Sequence, residues 1–194
     1  MKRKGFLSVP LCLLLLLLLP MTTLAAVGIP AGAPQATSDV WLSSFKATVI
    51  PAEIGEGKVT PLGKFHWRVE DRPMWGAISG DLNGQFSFTY DAVVNLLQSG
   101  CIWGTTKVDC GGGNTISGKA RGWTLTIIFH PLAHRAWMYI SGTWTFSAGT
   151  GNYEGVWGSG AMSGWVGVQL TEENEHVVGI LERSQINLVG LWNK

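Results

Sequence analysis

The chain has 194 residues, with 14 Lys and Arg against 13 Asp and Glu, a formal net charge of +1 and 46% hydrophobic residues. Three of the cations, Lys2, Arg3 and Lys4, stand at the N-terminus, so the rest of the chain carries 11 minus 13, or −2. With no Lys/Arg run left, counterion-release binding has nothing to work with, and neither nucleic acid nor an anionic membrane surface is an expected partner.

Residues 1–25 place that basic run before the apolar "LCLLLLLLLP" of Leu11 to Pro20 and the small residues of "TTLAAVG". This order is that of an export signal cleaved after Ala25 or Ala26, which predicts a secreted or periplasmic protein. The apolar run is too short for a comfortable span, so no stable membrane segment is expected after cleavage; an uncleaved anchor is the alternative. Cys12 lacks the small residue before it that a lipoprotein site needs. Residues 26–39, rich in Pro, Gly and Ala, read as a flexible lead, and 40–194 as one domain with one core.

In "KFHWRVE", Phe65, Trp67 and Val69 alternate with His66, Arg68 and Glu70, as in a strand with one apolar face. The segment "WGAISGDLNGQFSFTY" holds Asn83-Gly84, a strong hairpin signal, and its return strand puts Phe86, Phe88 and Tyr90 on one side. "DAVVNLLQSG" suits either a short helix behind Asp91 or an extension of that strand. In an oxidising compartment, Cys101 and Cys110 are expected to close "CIWGTTKVDC" as a disulfide contributing about 2–3 kcal/mol, with free thiols as the alternative. "RGWTLTIIF" sets Trp123, Leu125, Ile127 and Phe129 on one side and Thr124 and Thr126 on the other. "AWMYISGTWTF", "GWVGVQL" and "VVGILERSQINLV" supply further strands. Seven to nine short strands with turn residues between them predict an all-β fold, a single antiparallel β-barrel of about eight strands with little helix.

The glycine-rich stretch "GTWTFSAGTGNYEGVWGSGAMSGW" contains two nine-residue copies, "GTGNYEGVW" and "GSGAMSGWV". A dinucleotide loop needs G-x-G-x-x-G between a strand and a helix; here the spacing is G-x-G-x-x-x-G and strand-like alternation follows. Calcium-binding nonapeptides need an Asp in the turn, and neither copy has one. The glycines are therefore read as bends and close approaches in a hairpin, with Trp144, Trp157 and Trp165 lying over bare backbone.

Two elements resemble the paired signatures of the allene oxide cyclase and dirigent-like β-barrels and related bacterial barrels. Gly80, Gly84, Phe86 and Phe88 match the first, G-x-x-x-G-x-[FY]-x-[FY]. Gly142, Trp144, Phe146, Gly149, Thr150, Gly151, Tyr153, Gly155, Gly158 and Gly160 match the second. The resemblance spans residues 76 to 165 and implies a barrel whose lumen holds a ligand, as the plant enzymes hold a reactive oxylipin or a radical pair. It also implies possible assembly into oligomers. It transfers no catalytic residue, because the matched positions are glycines and aromatics.

Ten tryptophans are expected mostly to fill the core or cover the barrel ends. The candidate ligand-binding residues are Trp67, Trp123, Trp144, Phe86 and Phe88, lining a mouth or lumen for a small hydrophobic or aromatic molecule. His66, Arg68 and Glu70 are the candidate catalytic set if their face points inward, while the apolar face of Trp67 favours the outward placement. His130 and His134 in "HPLAH" have the i, i+4 spacing of metal ligands, but Pro131 and the short link favour a turn, and no metal or other cofactor is expected. No G-x-S-x-G elbow occurs. The sequence thus points to a secreted binding barrel. Its alternatives are an isomerase or cyclase working in the lumen and a structural barrel that forms homo-oligomers.

Overall fold

A computed structural model describes residues 42–193. The expected export signal, the expected flexible lead and the start of the expected domain segment lie outside the described residues.

Ten strands follow one another among the described residues: β1 (Leu42–Ile54), β2 (Lys58–Gly63), β3 (His66–Gly80), β4 (Gly84–Asn95), β5 (Ser99–Asp109), β6 (Thr115–His130), β7 (Arg135–Thr150), β8 (Trp157–Leu170), β9 (Val177–Ile180) and β10 (Gln185–Asn193). Every pairing is antiparallel. The order β1-β10-β8-β7-β6-β5-β4-β3 closes on itself through β1 and β3. The fold is an antiparallel β-barrel with eight strand positions.

Two positions are shared by broken strands. Along β3, β1 pairs with Met74–Gly80 and β2 with His66–Glu70; along β8, β10 pairs with Trp157–Trp165 and β9 with Val168–Leu170. Strand pairing closes the ring at the end where β1 lies between β10 and β3. At the other end β2 and β9 are each paired on one side only, among the described residues. "VVGILERSQINLV", read as one strand, is therefore β9 and β10 with a turn between them.

One ring of register partners runs Val69, Ala92, Ile102, Gly122, Gly142, Met162, Leu188, Ala47 and returns to β3 at Gly80. The return point lies 80 − 69, or 11, residues further along β3. Such a stagger tilts the strands and sets the width of the lumen.

The interior is apolar: Phe45, Val49, Trp67, Val69, Leu82, Ile116 and Val168 are all nearly inaccessible. The glycine-rich stretch is the β7–β8 hairpin, its turn made at Gly151 and Gly155, both with positive φ. Where it lies flat against its neighbour, a Cβ on Gly160 would run into the Val189 carbonyl, and a Cβ on Gly190 would come within 2.8 Å of the Trp144 ring. The rings of Phe45, Phe146 and Trp144 fill the space that these glycines leave, at centroid distances of 4.6 to 5.5 Å. The β3–β4 hairpin forms as expected, but the positive φ falls on Gly80, while Asn83 bonds back to Gly80 through both side-chain atoms. "DAVVNLLQSG" continues β4 to Asn95 and then turns.

Two expectations are overturned. The disulfide does not form: Cys101 lies near the start of β5 and Cys110 just beyond its end. Nine steps of extended chain separate them by roughly 30 Å, whereas a disulfide needs Cα atoms within about 7 Å. Cys110 instead meets the Tyr153 hydroxyl. The faces of β6 are also reversed. Trp123, Leu125 and Ile127 point outward, and Thr124 points into the barrel.

Candidate functional site

The barrel encloses a cavity of about 90 Å³. Four of the five expected ligand-binding residues, Trp67, Trp144, Phe86 and Phe88, line it and are buried. The fifth does not: Trp123 is 69% exposed on the outer wall. Its sequence parity carries the reason. Lys119 and Arg121 share that face of β6, and Ile116, Gly118, Ala120 and Thr124 share the other. Charged residues must reach water, and the inner face of β6 needs small residues because Trp144 of β7, the register partner of Ala120, fills the lumen beside it.

His66, Arg68 and Glu70 alternate with buried Trp67 and Val69 and so face away from the lumen. Glu70 pairs there with Lys58 at 2.9 Å and with Arg68 at 3.2 Å. The hydrogen bond and charge of Lys58, helped by Arg68, hold its carboxyl below the usual range. This is a solvated ion-pair stripe and does not meet the cavity. His130 ends β6 and His134 follows the short turn of Pro131–Ala133, where its backbone N–H bonds to the Pro131 carbonyl. Among the described residues no cluster of His, Cys, Asp and Glu suited to a metal occurs, and no helix is long and apolar enough to cross a membrane.

The most informative residue in the lining is one that alternation in "KFHWRVE" did not reach. Trp67 and Val69 point inward at odd positions, yet Met74 and Ile78 point inward at even ones. The change of parity is a β-bulge between Val69 and Arg72, where Asp71 takes φ +52. The Asp71 N–H donates to Asp91 Oδ1 at 3.0 Å, which holds the irregular residue in place. A bulge re-aims the side chain that follows it. Here that side chain is Arg72, turned into the barrel and only 6% exposed. The apolar pattern of "WRVEDRPMW" hides this switch, because Pro73 and Trp75 continue the odd apolar positions of Trp67 and Val69.

Arg72 lines the cavity. Its Nε donates to the Gly55 carbonyl at 2.8 Å, in the link between β1 and β2. Its Nη1 is buried without a partner, and no carboxylate pairs with it among the described residues. Beside it Tyr90, its register partner on β4, is 8% exposed. Burial pushes the Tyr90 phenol up to about 12, against a smaller downward pull from Arg72. The phenol therefore stays protonated at neutral pH and can donate. Thr106 and Thr124 are the other polar residues of a lining that is otherwise apolar.

The outer wall is also distinctive. Trp75, Trp103, Trp123, Trp157 and Trp165, five of the nine described tryptophans, are exposed rather than filling the core. On β6 to β8 the register row Leu125, Tyr139, Trp165 forms an apolar strip, with Tyr139 and Trp165 edge to face at 5.3 Å. No family model matches the chain, and no curated protein or solved structure matches it either.

Proposed function

We propose that this barrel is an exported binding protein that holds a small apolar ligand in its lumen. The carrying observation is the cavity inside the barrel, lined mostly by apolar residues, Trp67, Trp144, Phe86 and Phe88 among them. Its volume is several times what one water needs and below the roughly 150 Å³ of a dry apolar cavity that takes benzene. The ligand is thus smaller than an aromatic ring, a short chain of a few heavy atoms. The resemblance to barrels that hold ligands in the lumen supports the same reading.

Trp67 and Trp144 lie in the lining, so tryptophan fluorescence reads occupancy directly. Titration with propanol or butanol, compact and non-fluorescent, should give a saturable shift. A flat response to all such probes, with the chain folded, rejects lumen binding.

A second reading rests on the outer wall. The strip of Trp123, Leu125, Tyr139 and Trp165 favours homo-oligomers formed through β6 to β8, in keeping with the oligomers that the resemblance implies. Sedimentation should show association that the substitution Trp123→Glu weakens. A clean monomer at high concentration removes this reading.

A further inference from the structure

From Arg72 we infer that the lumen selects a compact monocarboxylate, its acid group on the guanidinium and its apolar body against the aromatic lining. This rests on the lumen-binding reading above and names the chemistry that the same cavity prefers.

Three observations converge on it. Arg72 is a cation held inside an apolar barrel, 6% exposed, with no carboxylate partner among the described residues. A buried charge without its complement is costly, so a fold that keeps one supplies a place for the opposite charge. The bulge that aims Arg72 inward holds a non-glycine residue, Asp71, at positive φ, and without the bulge the position would turn outward like Arg68. Finally, the orphaned polar atoms in this lining, Arg72 Nη1 and Trp67 Nε1, are both donors. What these two donors lack is an acceptor.

The rest of the lining narrows the acceptor. One cation is balanced by one negative charge, and a dianion such as a phosphate ester would leave a net charge in apolar surroundings. The guanidinium fork matches the planar geometry of a carboxylate. With Nε tied to the Gly55 carbonyl the fork is fixed in place, so little ordering is needed on binding. The protonated Tyr90 phenol, the register partner of Arg72, supplies a second donor. The volume of about 90 Å³ excludes a long chain or a ring and leaves room for a short-chain acid.

The test compares propanoate and butanoate with propanol and butanol, by calorimetry and tryptophan fluorescence on the folded chain at neutral pH. Each acid should bind roughly tenfold or more tightly than its alcohol, since a charged hydrogen bond replaces a neutral one. Arg72→Met should erase that preference and leave the alcohol affinity in place. If the wild-type chain binds alcohols as well as acids, or if Arg72→Met keeps the acid preference, the carboxylate inference is overturned and lumen binding stands. If neither series binds, both fail. The acid-to-alcohol ratio of the wild-type chain decides the matter even if Arg72→Met folds poorly.

Discussion

Arg72 and Tyr90 are register partners across β3 and β4, and both side chains point into the barrel. For the phenol, loss of water outweighs the nearby positive charge, and its pKa rises from 10 to about 12. Among the lumen-lining residues this pair is the one that brings a titratable group and a fixed charge together away from solvent.

The Tyr90 shift makes an alkaline prediction. A group whose folded pKa is raised contributes stability that is fully present below its unfolded pKa, near 10, and is lost as pH climbs through about 12. Two units correspond to roughly 2–3 kcal/mol. The loss of stability between pH 9 and pH 12 should therefore be smaller in Tyr90→Phe than in the parent chain by an amount of that order. Urea denaturation at a series of pH values measures it, and parallel curves for the two chains would show that the phenol is not held neutral by burial.

The bulge makes a second prediction. Asp71 adopts φ +52, a conformation that glycine takes freely and other residues take at a cost. Asp71→Gly should accordingly be more stable than Asp71→Ala by roughly 1 kcal/mol, in the reverse of the order expected in a regular strand. Asp91→Ala, which removes the acceptor of the Asp71 N–H, should cost about 1 kcal/mol. If Asp71→Ala matches or exceeds Asp71→Gly in denaturation midpoint, the strand does not bulge there and Arg72 does not point inward.

Much of this fold could be read from alternation and turns. The strand count, the single barrel, the β3–β4 hairpin and the β7–β8 hairpin all follow from period-2 patterns and glycine placement. Alternation shows that two faces differ without saying which is inside, and this is why β6 was reversed. There the apolar Trp123 face also carries Lys119 and Arg121, and the inner face is small because Trp144 of β7 occupies the lumen. Arg72 is not legible in the sequence, because Pro73 and Trp75 keep the odd positions apolar and hide the change of inward parity between Val69 and Met74. The disulfide failed for a different reason. Compartment and cysteine number suggest a bond, but only the run of β5 as one extended strand shows that the two sulfurs lie at opposite ends of it.

The cysteines offer a third test. Because β5 holds them roughly 30 Å apart, reductant should leave the thermal midpoint of the oxidised, purified chain unchanged. Alkylation of the denatured but unreduced protein should label both the Cys101 and the Cys110 peptides. A midpoint that drops by several degrees on reduction, or peptides that label only after it, would mean that β5 is not continuous between them.

The two tryptophans Trp123 and Trp144 were grouped together as ligand candidates, and the barrel separates them. Trp144 is 3% exposed, packs on Phe45 and Phe146, and donates from Nε1 to the Ala161 carbonyl at 3.0 Å. Removing its ring opens a cavity and strands that carbonyl, so Trp144→Ala should cost about 3–5 kcal/mol and disturb any lumen ligand. Trp123→Ala removes a ring that already stands mostly in water, and its stability should stay within about 0.5 kcal/mol of the parent. Lumen affinity should be unchanged in that variant, and self-association should weaken. Comparable losses of stability in both variants would place Trp123 in the interior after all and restore the opposite reading of β6.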